Sequence, residues 1–428
     1  MGRAAVVGGG VLGLAVAREL RSRGDDVTVF EAATELGGLA SAWRLGDVVW
    51  DRHYHVTLAS DVRTRELLSW IGLDDEIQWR QTQTGFYAGQ SYGLRSATTP
   101  WELFRLPSLS PLDTVRIGAT VMRGSRMEDG SLLEDIPVAD WLRRQSGGKA
   151  FDRFWVPLLR AKLGSAWTDT SAAFIWSTMR RLTRARRAGL AEEQYGYVPG
   201  GAARIFDLLA HKLLDDGVKL LGGTPVIAVQ TVGREQVVVT EHGSECFDRV
   251  VVTTAAPLAA KLCLDLSDAE RDRLRRVRYQ GVICASMLIP ESLSDYYLTY
   301  ITDPATPFTA IVEMTALVDP AELGGKRLVY LPKYVSPEDP MFDMSDAEIR
   351  AQFMPYVQKM APHFDPSSVE AFRVSRVKQV YAIPTLGYSR SMPPTTTTVP
   401  SLQLLSSANL PFSTLNIDDT LSLVSELR

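Results

Sequence analysis

The sequence predicts an α/β chain: a domain built on a parallel sheet, interrupted by an α+β insertion. Three observations predict it. The chain opens on strand, glycine turn, helix and strand within its first thirty-one residues. Further short apolar runs with strand character follow at 218–253 and 401–405. Between these lie two long stretches of different character, one rich in helical periodicity and one alternating strands with loops. At 428 residues the chain is too long for one compact core, so several lobes are expected.

Arg3–Val7 is an apolar run of strand length, followed by Gly8-Gly9-Gly10-Val11-Leu12-Gly13. Leu14–Arg23 then reads as an amphipathic helix stopped by Gly24, and Asp26–Phe30 as a second strand closed by Glu31. A G-x-G-x-x-G between a strand and a helix, with an acid ending the next strand, is a dinucleotide fingerprint in its proper context. Gly8 permits the tight turn, Gly10 lets the backbone approach a pyrophosphate, and Gly13 allows close helix packing. The helix start at Val11 and Leu12 offers unpaired N–H groups and a positive dipole end to phosphate. Glu31 is placed to accept hydrogen bonds from ribose hydroxyls. Glycines serving only as turn residues, with Glu31 a plain surface charge, would not require this order of elements.

Farther along, Ala203–Asp216 carries Ile205, Phe206, Leu208, Leu209, Leu213 and Leu214 at largely helical spacing. Val218–Leu221, Val226–Val229, Gln236–Thr240 and Arg249–Thr253 read as strands divided by turns. Near the C-terminus, Ser401–Leu405 is an apolar strand, and Asn416 and Asp418 are good N-cap types for a helix through Leu427. The expected division is 1–95, 195–278 and 393–428 for the nucleotide domain. A mostly helical part at 96–194, with Trp101, Trp141, Trp155, Trp167 and Trp176, and a sheet-bearing part at 279–392 form the insertion.

Charge and composition narrow the function classes. A net charge of -4 gives no reason to expect nucleic acid. Cys246, Cys263 and Cys284 are widely spaced, without metal-ligand spacing, so no metal is expected and each reads as a small buried hydrophobe. The apolar N-terminus is broken by glycines and followed by Arg18, Glu19 and Arg21, unlike a signal peptide. A reduced, cytoplasmic setting is expected. Arg180, Arg181, Arg184, Arg186 and Arg187 form the densest basic run. A solvated helix face is its default reading, and peripheral contact with an anionic membrane or a phosphorylated substrate is the alternative.

The segment Glu31-Ala32-Ala33-Thr34-Glu35-Leu36-Gly37-Gly38-Leu39-Ala40 resembles the E-A-x-x-x-x-G-G signature of flavin-dependent amine oxidases and their relatives. Leu39 stands where that family carries arginine. Tyr197-Val-Pro-Gly-Gly201 resembles the P-G-G segment of phytoene desaturases and protoporphyrinogen oxidases, and Thr253-Thr-Ala-Ala-Pro257 resembles the strand end that re-enters near the cofactor. With 401–424, these stretches resemble the protoporphyrinogen oxidase and amine oxidase superfamily, in particular its protoporphyrinogen-oxidase-like bacterial members.

The resemblance implies a Rossmann-like FAD-binding domain of the amine oxidase or glutathione-reductase-like type, with an inserted α+β substrate domain. It implies FAD contacts at Gly8, Gly10, Val11, Leu12, Gly13, Glu31, Ala32, Gly37, Gly38, Leu39, Val226, Thr254, Asn409, Asn416, Asp418 and Thr420. Where the family's glycine-rich entry to the last helix would fall, this chain has Leu415-Asn416-Ile417.

Val49-Trp-Asp-Arg-His-Tyr-His55 matches the family's aromatic and histidine cluster after the glycine pair. His55 and His53 are candidates to orient substrate, accept a proton or hydrogen-bond flavin; a packed histidine holding the loop is the plainer reading. Lys162 and Lys333 are candidates for a lysine beside the flavin, against the commoner surface or salt-bridged lysine. Tyr330, Tyr334 and Tyr388 are candidate pocket tyrosines.

The implied activity is a FAD-dependent oxidoreductase: an oxidase, dehydrogenase or desaturase. It would take a hydride from a small-molecule substrate onto non-covalently bound FAD, with reoxidation by oxygen or another acceptor. The rival readings are a non-redox flavoenzyme resembling UDP-galactopyranose mutase and a catalytically idle FAD-binding partner. Oligomeric state is not legible.

Overall fold

The computed structural model describes residues 2–97, 102, 109–187, 194–412 and 416–428, with side chains 182 and 184–187 outside the description. Trp101 and Leu415 therefore lie outside the described residues, as do the side chains of Arg184, Arg186 and Arg187.

Five strands form a wholly parallel sheet in the order Lys219–Leu221, Asp26–Phe30, Arg3–Val7, Arg249–Val252, Leu402–Leu404. The central strands are buried on both sides, which explains why Ala4–Val7 and Val250–Val252 are continuous apolar runs. One face packs on helices Val11–Ser22 and Gly201–Asp215 through Leu14, Val16, Leu209 and Leu213. A three-stranded antiparallel sheet of Val226–Val232, Glu235–Thr240 and Gly243–Phe247 lies on the other side, its Val229, Val238 and Phe247 in the core there. The last of its strands was not expected. Gly243–Phe247 is exposed at four of five positions and lacks the apolar alternation that marks a half-buried strand. That edge also corrects the reading of Cys246, which is exposed, whereas Cys263 and Cys284 are buried.

Residues 83–96 and 279–382 build a second, seven-stranded sheet. Its longest strand, Tyr279–Ile289, is buried at every position, because the sheet is covered on both faces. Ile283, Ala285, Met287 and Leu331 face helix Asp346–Met360 through Ile349, Phe353 and Val357. Burying each of the larger of these side chains stabilises the lobe by about 1.5–3 kcal/mol. Val282, Cys284 and Tyr330 face the opposite way, onto the helical layer of 111–187 with Trp141, Phe151, Trp155 and Trp176. Among the described residues no helix is long and apolar enough to cross a membrane.

Candidate FAD and substrate site

All five parallel strands end at the same edge, where open α/β sheets bind ligands. Gly8 follows the first strand, Glu31 the second, Thr253 and Thr254 the strand Arg249–Val252, and Leu405 the last. The glycine turn there is built to have no side chains. A Cβ on Gly13 would sit 1.8 Å from the Gly8 carbonyl oxygen, so only glycine lets the helix start so close to the turn. Gly10 pairs with Gly37, whose N–H donates to the Gly9 carbonyl at 2.8 Å, and a Cβ on Gly38 would meet Gly10 Cα at 3.2 Å. The two glycine motifs, twenty-odd residues apart in sequence, thus form one side-chain-free cradle. Thr253 holds it from behind, its hydroxyl donating to the Val7 and Gly8 carbonyls at 3.1 and 3.2 Å.

Glu31 accepts N–H bonds from Gly9 at 2.6 Å and Ala33 at 2.8 Å. Two bonds leave further lone pairs on a carboxylate for ribose hydroxyls. Thr254 presents a buried hydroxyl with no protein partner at the same strand end. An unfilled polar atom beside a cradle with no Cβ is what a dinucleotide would complete, so the residues fit FAD.

The stretch Trp50–His55 carries the loop next to this cradle. Asp51 is buried and its carboxylate accepts the Ala202 N–H at 2.7 Å, while its main-chain oxygen accepts the Tyr330 hydroxyl at 2.6 Å. Burial pushes its carboxyl up to about 7. His53 Nδ1 lies 2.9 Å from the Leu39 carbonyl, which can only accept, so Nδ1 carries the proton. His53 Nε2 is then a buried acceptor without a partner. His55 Nδ1 is likewise unpartnered, 4.0 Å from Asp51. Burial depresses both imidazoles to about 4, so they are neutral at pH 7, and a neutral His55 gives Asp51 no ionic partner. A cavity of about 80 Å³ joins His55 to Val11, Ala40, Phe206 and Ile417, linking the histidine loop to both helix starts.

On the other side of that loop, three elements bring polar groups together. The Lys162 ammonium, from helix Val156–Leu163, donates to the Tyr334 hydroxyl at 2.8 Å and lies 4.2 Å from that ring's centroid. The Tyr334 hydroxyl is in turn 3.1 Å from the Tyr54 hydroxyl. Tyr381 closes the group by donating to the Lys162 carbonyl at 3.0 Å. Burial raises the Tyr54 and Tyr381 phenols well above their ordinary values, so both stay protonated. Among the described residues Lys162 has no carboxylate within ion-pair distance, so tyrosine oxygens and ring faces are what hold its charge.

The other expected site residues have these places in the fold. Lys333 is paired with Ile283 and alternates with Tyr334, so it shares the sheet face of Leu331 and is not brought to Lys162. Asn409 spends its amide within the chain, accepting from Ser406 N–H and donating to the Pro393 carbonyl, both at 2.8 Å. Asn416 caps the short helix Ile417–Ser422, accepting from Asp419 N–H at 2.7 Å. Asp418 turns to the Thr64 N–H and Arg63, and Thr420 donates to the Asn416 carbonyl. Val226 opens its strand opposite Thr240, and Ala32 is exposed beside Glu31. Leu12 is buried in the helix core. Tyr388 donates to the Ala408 carbonyl, away from Tyr330 and Tyr334.

The basic run is not a uniformly solvated face. Arg181 pairs with buried Asp61 at 2.9 Å, and Arg180 donates to the Met127 and Glu128 carbonyls. Sequence reasoning passed over Asp51 and Tyr54, although both sit inside the histidine cluster it singled out. Nothing local marks which of those neighbours will be buried against Tyr330 and Tyr334.

A parallel sheet with a double-glycine cradle, joined to a covered second sheet, defines the fold of FAD-dependent oxidoreductases. The chain belongs to the flavin containing amine oxidoreductase family, whose model matches residues 13–411. It is 30% identical over 155 residues to protoporphyrinogen oxidase 2, chloroplastic/mitochondrial, of Arabidopsis thaliana, a match over 35% of this chain and 30% of that protein. The chain thus matches less than a third of the length of such plant relatives. Among solved structures, an oxidoreductase from Methanosarcina mazei shares the fold at TM-score 0.76 and 16% identity, over 99% of both chains. Reduced UDP-galactopyranose mutase does so at 0.77 and 14%, covering 100% of this chain and 94% of that one. At these identities the structures speak to fold alone.

Proposed function

We propose that the protein oxidises a small molecule at a C–H bond beside nitrogen, oxygen or a desaturable carbon, using non-covalently held FAD, with oxygen or another acceptor taking the electrons. The observation that carries this reading is the Lys162–Tyr334–Tyr54 chain, standing on the sheet face that leads to the histidine loop and the glycine cradle. Bound FAD would supply the hydride acceptor. The glycine cradle, Glu31 and Thr254 would hold it. His53 Nε2 and His55 Nδ1 would turn their unpartnered nitrogens to cofactor or substrate. Lys162 would hold a proton or a water at Nζ, and the covered faces around it would exclude bulk water. Oxygen as acceptor and a cytoplasmic setting belong to the same proposal.

In the mutase-like alternative the arginine run would clamp a nucleotide-sugar pyrophosphate, and Arg181 is already engaged by Asp61. Anaerobic mixing with candidate substrates separates the readings. An oxidoreductase bleaches its flavin in one turnover; an isomerase needs pre-reduced flavin and shows no net redox change.

A further inference from the structure

A cleft of about 380 Å³ opens where the helical layer, the seven-stranded sheet and helix Asp268–Arg276 meet. Its polar wall is cationic. Arg275 and Arg276 are exposed on it and, among the described residues, have no hydrogen-bond or ion-pair partner. Arg278 also lines it and is held by Asp169 at 2.9 Å. The one carboxylate in the lining is Glu338, which accepts from the Ser336 hydroxyl. Leu163, Pro257 and Ile383 supply an apolar side.

One lining residue is unlike the rest. Gln280 is 1% exposed, and its Nε2 donor is buried with no partner. A buried donor left unmet costs its full desolvation, so an acceptor is its natural complement. The cleft lies beside the chain segments that carry Lys162 and Tyr334, although neither of those residues lines it. Leu163 directly follows Lys162, Gln280 lies on the sheet face of Val282 and Tyr334, and a Cβ on Gly164 would meet the Tyr334 carbonyl at 3.6 Å and Gln280 Nε2 at 3.7 Å.

We infer that this cleft binds an organic carboxylate, with Arg275 and Arg276 meeting the anion, Gln280 donating to it, and the apolar side holding its carbon frame. Guanidinium forks match carboxylate geometry, and a site part apolar and part cationic favours an organic anion over a bare mineral one. Building on the oxidoreductase reading, the carboxylate is the anchoring end of the substrate whose reactive carbon reaches the Lys162–Tyr334 pair.

The test uses FAD-loaded protein and calorimetric titration with benzoate and with inorganic phosphate, on wild type, Arg275→Gln/Arg276→Gln and Gln280→Leu. Benzoate should bind saturably and more tightly than phosphate. Its affinity should fall about tenfold or more in the double arginine variant and a few-fold in Gln280→Leu, with FAD content unchanged. The inference is overturned by absent benzoate saturation, by equal affinity in the double variant, or by phosphate binding as tightly as benzoate. A second arm compares carboxylates with their methyl esters in anaerobic flavin bleaching; esters that react equally fast would remove the anchoring role. If no compound bleaches the flavin, the oxidoreductase reading fails while calorimetry still decides the cleft.

Discussion

The carbonyl oxygen of Gly8 occupies the place where a side chain on Gly13 would begin, 1.8 Å from the ideal Cβ position. The contact locks the helix start against the turn, and both belong to the cradle completed by Gly37 and Gly38. Gly13→Ala must therefore displace the turn itself. FAD affinity should fall at least about tenfold, with some loss of thermal stability in the FAD-free protein, read by flavin fluorescence and melting.

Gly10 behaves differently. A Cβ there meets only Gly38 Cα, at 3.9 Å, an ordinary contact. Gly10→Ala should leave the FAD-free melting temperature close to wild type yet weaken FAD, because the methyl projects into the space kept for the cofactor. Equal FAD affinity in Gly10→Ala and wild type would show that the cradle is not used.

Removing the lysine charge tests the substrate face. Lys162→Met keeps the stem that packs beside Tyr334 and Tyr381 but removes the donor 2.8 Å from the Tyr334 hydroxyl. Flavin reduction by substrate should slow by about 10²–10⁴-fold, with FAD content unchanged. Lys333→Met, on the opposite face, should have little effect in the same stopped-flow assay.

The buried loop makes two opposed pH signatures. His53 and His55 have folded pKa values near 4, below the unfolded value of 6.5, so between these limits the unfolded chain binds more protons and stability falls on acidification. Asp51, raised to about 7 from 3.8, binds more protons when folded, so its contribution is lost as pH rises across that window; Glu313, also raised to about 7, has the same sign. Relative to wild type, His55→Gln should lose less stability from pH 7 to pH 5, and Asp51→Asn less from pH 5 to pH 7. Each difference should approach about 1.4 kcal/mol per pH unit at most, measured by urea unfolding of FAD-free protein.

Arg181 and Asp61 form a largely buried pair, with side chains 28% and 7% exposed. Arg181→Met strands the carboxylate and should destabilise the fold by about 3 kcal/mol; adding Asp61→Asn should recover part of it. Full stability in the single variant would return this arginine to the solvated-face reading.

The cofactor half of the site was legible because its signals are local. Gly8, Gly10, Gly13 and Glu31 sit at fixed offsets from one strand, and Gly37–Gly38 follows within the same unit. Lys162, Tyr334 and Tyr54 come from three distant segments, and only sheet pairing and helix packing bring them together. At the C-terminus the polar types of Asn409, Asp418 and Thr420 suit caps and clasps within the chain as well as cofactor contacts, so residue type alone does not separate the two. The helix Asp346–Met360 falls within 279–392, where the sequence pattern indicates strands alternating with loops. Its start was written in Ser345 and Glu348, which form a capping box, while Pro355 inside it argued against a helix.

The most direct test of the account is the absorption spectrum of the purified protein, taken before and after reconstitution with FAD, followed by acid denaturation. The cradle predicts a flavin spectrum near one FAD per chain, with all of the flavin released into the supernatant. Protein that stays colourless after reconstitution contradicts the account.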